Sequence, residues 1–164
     1  YTSLSKSKTG ALMVFERKNM LDDAIKTGTA LDCTVNAELL KNIFWNKAPL
    51  HDGAVIVRAG RIVGAGCMLP MSGNVNLSRE LGMRHRAGIG ASEHTDAVVA
   101  IVSEETGSIS VAVGGMLKRH LAPETLDRLL RNELKTDEDD GEKKSDLFPL
   151  VAALFNRGKK EGTE

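Results

Sequence analysis

Ala54-Val-Ile-Val-Arg58, then Ala59-Gly60, then Arg61-Ile-Val-Gly-Ala-Gly-Cys-Met-Leu69: two runs rich in Val and Ile, parted by two residues, read as a β-hairpin. Ala-Gly is not the Asn-Gly pair that such a turn prefers, yet the strands on either side are long and apolar. A second pair, Ala97–Val102 and Ser108–Val113, is joined by Glu104-Glu105-Thr106-Gly107. Ala11–Glu16, after Gly10, is a further short apolar run and reads as a buried strand. Hairpin-linked strands argue against strict βαβ winding. The expected fold is therefore α/β, with a mixed, mainly antiparallel central sheet flanked by helices.

The helices are placed by spacing and punctuation. Leu21–Lys26 fits a short helix stopped near Gly28. Thr34 offers a cap for a helix through Ala37, Leu39, Leu40, Ile43 and Phe44, whose i, i+3, i+4 spacing makes one buried stripe, and Pro49 ends that element. Pro70–Asn76 reads as a loop and Ser78 as the cap of a short turn through Leu81. Gly82 punctuates before a helix from Arg84 towards Glu93. Pro123 suits a first helical turn and opens an amphipathic helix to Leu134.

Composition bounds the rest. With 164 residues, 41% of them apolar, the chain suits one closed core. Lys plus Arg and Asp plus Glu both number 22, so no excess charge recruits nucleic acid, whereas a small anionic ligand needs only a local positive cluster. Cys33 and Cys67 lack metal-ligand spacing and fit a reduced, intracellular protein. No apolar run approaches the ~20 residues of a membrane span. The start, Tyr1-Thr-Ser-Leu-Ser-Lys-Ser-Lys8, has no initiator Met and reads as the edge of a longer protein. Residues 1–134 are expected to form the functional domain. Residues 135–164 are expected to form a charged tail, with a linker at Thr136–Ser145 and a short apolar helix at Leu147–Phe155.

Two segments carry chemistry. Leu50-His51-Asp52-Gly53-Ala54 sets an imidazole and a carboxylate at a strand entrance, and Gly53 lets the backbone pass close to a ligand. Taken alone it reads rather as a turn before a strand. Leu81-Gly82-Met83-Arg84-His85-Arg86-Ala87 opens a helix with two guanidiniums, where free N–H groups and the positive dipole end gather. A solvated basic helix start is the bland alternative. Cations there are mildly unfavourable, however, so a compensating anion such as a polyphosphate is inferred.

Together Asp52-Gly53-Ala54 and Arg84-His85-Arg86 resemble the two hallmarks of the diadenylate cyclase (DAC) domain. The resemblance extends through Thr9-Gly10-Ala11, Ser78-Arg79-Glu80-Leu81-Gly82, Ser92-Glu93 and Val102-Ser103-Glu104-Glu105-Thr106-Gly107, covering roughly Tyr1 to Leu121. The branch it is most similar to is the membrane-anchored cyclase of Firmicutes-type bacteria. There transmembrane helices precede a catalytic domain on the cytoplasmic side of the cell membrane, which implies a soluble catalytic fragment here.

The resemblance implies a nucleotidyltransferase that condenses two ATP into cyclic di-AMP and two pyrophosphates. In it Asp52 would help to deprotonate the ribose 3′-hydroxyl, and Mg²⁺ or Mn²⁺ would bridge the triphosphate, with His51 and Glu105 as candidate metal contacts. ATP contacts would come from Gly53, Ala54, Met68, Leu69, Met83, Arg84, His85, Arg86, Ser103 and Glu104. Of these, Arg84 and Arg86 would face the phosphates, and Met68 and Leu69 the adenine. Core packing is an equal reading of Met68. The family often has an aromatic residue at Met68 and commonly Thr at Met83, so stacking becomes a softer thioether contact and one hydroxyl donor is absent. A symmetric ring needs two facing sites, hence a homodimer; regulatory protein partners stay open. The alternatives are a non-catalytic sensor of ATP or cyclic di-AMP, and an interaction module using Leu147–Phe155. No Gly-x-x-x-x-Gly-Lys-Ser/Thr loop is present, which disfavours a P-loop NTPase.

Overall fold

The computed structural model describes residues 1–78 and 81–134, and the expected tail elements lie outside them. Seven strands form one sheet: β1 (Ala11–Phe15), β2 (Thr29–Thr34), β3 (Ala54–Arg58), β4 (Arg61–Cys67), β5 (Val98–Val102), β6 (Ile109–Val113) and β7 (Met116–Leu121). Their order is β2-β4-β3-β1-β5-β6-β7. Only β1 and β3 pair in parallel, while every other neighbouring pair is antiparallel. The sheet is thus mixed and mainly antiparallel, as the hairpins require.

The β3–β4 hairpin closes through Ala59 at φ 47° and Gly60 at φ 74°, with Arg58 opposite Arg61. Both central residues are left-handed, as a two-residue turn matched to strand twist demands. Gly114 and Gly115, at φ 55° and 77°, close β6 onto β7 in the same way. The central strands β1, β3 and β5 are buried almost throughout, whereas the edge strands β2 and β7 are largely exposed. That contrast explains why β2 and β7 escape the sequence reading: neither carries a continuous apolar run.

Among the described residues five helices surround the sheet: α1 (Thr2–Lys6), α2 (Asp22–Ile25), α3 (Ala37–Ile43), α4 (Met83–His94) and α5 (Pro123–Glu133). Alternation along β1 sends Met13 into one core, with Phe44, Val55 and Leu126, and Leu12 and Val14 into the other, with Ile56, Ile89 and Ile101. The first core lies beneath α3 and α5, and the second beneath α4. α1 was unforeseen in a polar start; Leu4 is buried, and the Tyr1 hydroxyl donates to the Ala100 carbonyl at 2.8 Å. Asn36, not Thr34, caps α3, its side-chain oxygen accepting from the Leu39 N–H at 2.8 Å. Thr34 is instead the last residue of β2.

α4 is buried at His85 and from Ala87 to Ser92, on all sides of the helix, so it has almost no amphipathic stripe. Its glycines mark close approaches. A methyl group on Gly90 would lie 2.2 Å from the Pro70 carbonyl oxygen, so the loop after β4 rests directly on the helix backbone. The Ser72 N–H seals that contact by donating to the Arg86 carbonyl at 3.0 Å.

Candidate active site

Because β1 and β3 run together and β4 and β5 run against them, one end of the sheet gathers four chain segments. Asp52 and Gly53 lead into β3, Gly10 leads into β1, Met68 leaves β4, and Ser103 leaves β5. The N-terminus of α4 faces this end. Between them lies a cleft of about 650 Å³ whose walls include Asp52, Gly53, Met68, Leu69, Met83, Arg84, His85, Ser103, Glu104 and Glu105. The carboxylate before the strand and the guanidinium on the helix therefore share one cavity.

Gly53 sits at φ +102°, where a side chain is strained, and a methyl group there would lie 2.7 Å from the Gly66 carbonyl carbon. The Asp-Gly turn thus lets the strand entrance press against β4 while the Asp52 side chain, 86% exposed, extends into the cleft. Behind it, His51 Nδ1 lies 2.6 Å from the Ala48 carbonyl oxygen, so that nitrogen carries the proton and donates. Nε2, the other ring nitrogen, lies 3.4 Å from Asp52 Oδ1. A ring held by a backbone carbonyl at one nitrogen and open at the other has the usual arrangement of a metal-ligating histidine. His51 itself does not line the cleft but stands behind Asp52.

Met83 opens α4 after Gly82, which has no side chain to cap the helix, and the first turn holds no acidic residue. The first-turn N–H groups have no intrahelical acceptor. Arg84 lies just inside, its Nη1 donating to Glu104 Oε2 at 2.6 Å. Its Nε is buried and, among the described residues, has no hydrogen-bond partner. An orphaned guanidinium nitrogen beside a bare helix N-terminus is costly unless an anion arrives.

Arg86 departs from expectation. Its Nε and Nη2 donate to the carbonyls of Leu81 and Ser78, at 3.2 and 3.3 Å, so it ties down the turn before α4 rather than lining the cleft. One guanidinium, not two, meets the cavity, because successive helical residues point about 100° apart. Ala54 also stays out of the cavity walls, its methyl fully buried in the core under α4.

His85 turns inward too, its Nε2 3.4 Å from the Ser110 hydroxyl in the floor of the cleft. Burial holds its protonation below the ordinary histidine range, Arg119 adds to this, and Glu105 opposes it. The unfolded chain therefore takes up this proton first. Stability from the neutral ring is complete above about pH 6.5 and falls as the pH drops below that value. Urea midpoints measured from pH 8 to 5 should decline in the native chain, and His85→Gln should flatten that part of the decline.

Met68 is 67% exposed on the cavity wall, so it belongs to the cleft and not to the core. Its backbone N–H donates to the Thr27 hydroxyl at 2.8 Å, which fixes the chain where β4 ends. Thr27 was not singled out from sequence, since nothing local links it to a strand forty residues away. Ser103 keeps its hydroxyl at the cleft while its oxygen accepts from the Thr106 N–H at 3.3 Å. Among the described residues no three His, Cys, Asp or Glu side chains converge to hold a metal ion on their own.

The family described as DisA bacterial checkpoint controller nucleotide-binding, DAC, matches residues 1–117, a span that contains every wall of this cleft. The chain belongs to the DAC family. Over 137 residues this DAC domain is 47% identical to the cyclic di-AMP synthase CdaA of Bacillus subtilis (strain 168), covering 84% of this chain and 50% of that protein. The chain spans about half the length of the curated relatives it matches. Among solved structures, DacA from Staphylococcus aureus, a double mutant, superposes with a TM-score of 0.80 at 43% identity, covering 82% of this chain and 89% of that one. A hypothetical membrane spanning protein from Bacillus cereus gives a TM-score of 0.71 at 46% identity, covering 74% and 59%. The DAC fold expected from Asp52-Gly53-Ala54 and Arg84-His85-Arg86 is the fold observed.

Proposed function

We propose that this chain is the catalytic part of a diadenylate cyclase, which joins two ATP molecules into cyclic di-AMP. The observation that carries the reading is Arg84, whose Nε is buried and, among the described residues, unpartnered, at the N-terminus of α4 and in the same cleft as Asp52. The cyclic di-AMP synthase named among the relatives supports the choice of product.

In this reading Arg84, the first-turn N–H groups of α4 and the Ser103 hydroxyl hold the triphosphate. Charge-assisted donors of this kind orient phosphate oxygens without changing their own protonation. Met68 and Leu69 hold the adenine by apolar contact, and Gly53 lets the ribose approach the backbone. Asp52 accepts the proton of the 3′-hydroxyl as that oxygen bonds to the α-phosphorus of the second ATP. The bond from that phosphorus to the β-phosphate bridging oxygen breaks, and pyrophosphate leaves. Two such steps close the ring and release two pyrophosphates.

His85 is a floor residue in this scheme, and Arg86 secures the helix start that the phosphates meet. A Mg²⁺ or Mn²⁺ ion, when bound, would neutralise triphosphate charge. The Glu105 carboxylate on the cleft wall and His51 Nε2 behind Asp52 are the protein groups that would hold it. Each site binds one ATP, so both attacks require two protomers meeting face to face. Met68 and Met83, 67% and 79% exposed, give the cleft an apolar rim suited to such a partner. A place at the cytoplasmic side of the cell membrane in the full-length protein belongs to this reading, and the membrane spanning relative supports the association with a membrane. No helix among the described residues is long and apolar enough to cross a membrane.

Incubation with ATP and Mn²⁺ or Mg²⁺ in turn, followed by chromatography, is expected to yield one cyclic di-AMP for every two pyrophosphates, one pyrophosphate for each ATP consumed. Nucleotide binding without product under either metal would mark a sensor and overturn the cyclase reading.

A further inference from the structure

Gly10 is the residue on which the Arg84 guanidinium rests. It is buried, immediately precedes β1, and lies just past the end of the β1–β5 ladder, where Ala11 pairs with Val102. A methyl group at position 10 would lie 2.7 Å from Arg84 Nη1, 2.8 Å from Arg84 Cζ and 3.1 Å from the Cβ of Glu104. Ordinary contact needs about 3.5 Å or more, so no side chain fits beneath the guanidinium as it stands. Gly10 is not among the residues with positive φ, and its backbone is open to any amino acid. The requirement for glycine is therefore one of space, set by a group from another element.

The two nearest atoms that would meet the methyl are the far end of the flexible Arg84 side chain, whereas the Glu104 Cβ, at 3.1 Å, need give by only a few tenths of an ångström, and the Glu104 side chain is 65% exposed. Adding a side chain at position 10 should displace the guanidinium rather than the backbone. We propose that Gly10 is a positioning residue for the reaction: its missing side chain forms the floor of a seat that holds Arg84 ready for the triphosphate. Glu104 grips the same group through Nη1, which leaves Nε for the ligand. This inference rests on the reading that Arg84 binds the phosphates of ATP.

Gly10→Ala should raise the guanidinium by roughly 0.8 Å to restore contact distance. A shift of that order in a phosphate-positioning group lowers kcat/KM by about 10–100-fold. ATP affinity should fall as well, while the Tm stays within about 4 °C of the native value. In the Arg84→Ala background the added methyl meets no guanidinium, so Gly10→Ala should leave ATP affinity there unchanged. ATP affinity by calorimetry, turnover and Tm would be measured for the native chain, both single variants and the double variant. Native-like affinity and turnover in Gly10→Ala would overturn the proposal. Equal losses of affinity with and without Arg84 would overturn it too, as would a large drop in Tm, which would mean that the backbone and not the guanidinium gives way. A native chain that binds ATP but makes no cyclic di-AMP would instead overturn the cyclase reading, and the affinity comparison would still report on the seat.

Discussion

Asp52→Asn is expected to lower the rate of cyclic di-AMP formation by about 10²–10⁴-fold, the usual contribution of a positioned proton acceptor, with ATP affinity changed by no more than a few-fold. Asn keeps the size of the side chain and removes its charge and its capacity to take a proton. The Asp52 side chain is 86% exposed, with His51 Nε2 at 3.4 Å from its Oδ1. The fold loses little with the charge, and the loss should fall on the chemistry. Single-turnover formation of product, measured beside ATP binding by calorimetry, separates the two. Near-native turnover would remove Asp52 from its assigned role, and a large fall in affinity with the same residual rate would make it a binding group.

Dilution gives the second large effect. If each attack needs a 3′-hydroxyl from the opposite protomer, activity follows the dimer population and not the protein concentration. Well below the dimer dissociation constant, each tenfold dilution should lower activity per protomer by about tenfold, by mass action. Light scattering on the same samples supplies the oligomeric state. Constant specific activity across a range in which scattering reports monomers would sink the two-protomer scheme.

The central strands were legible because burial on both faces leaves uninterrupted runs such as Val98–Val102. The edge strands were not, because exposure mixes Lys118, Arg119 and His120 into β7. A signal for β7 was nevertheless present: Gly114-Gly115 between Val113 and Met116 is the kind of pair a two-residue hairpin turn uses. β2 carries no comparable marker, and it is recognised only by its pairing with β4.

Chemical identity was legible in local residues. An Asp-Gly turn at a strand entrance and a cationic, uncapped helix start are written in consecutive positions, and their types announce a carboxylate and an anion-binding end. What the tertiary structure alone decided is which groups meet. Helix rotation sends Arg84 into the cleft, Arg86 to the preceding turn and His85 into the floor, although the three are adjacent in the chain. Sheet order brings Gly10 beneath Arg84 and Glu104 beside it, from segments separated by most of the domain. Residue type is a property of single positions, whereas direction and contact depend on how a helix sits on a sheet, which many distant side chains settle together.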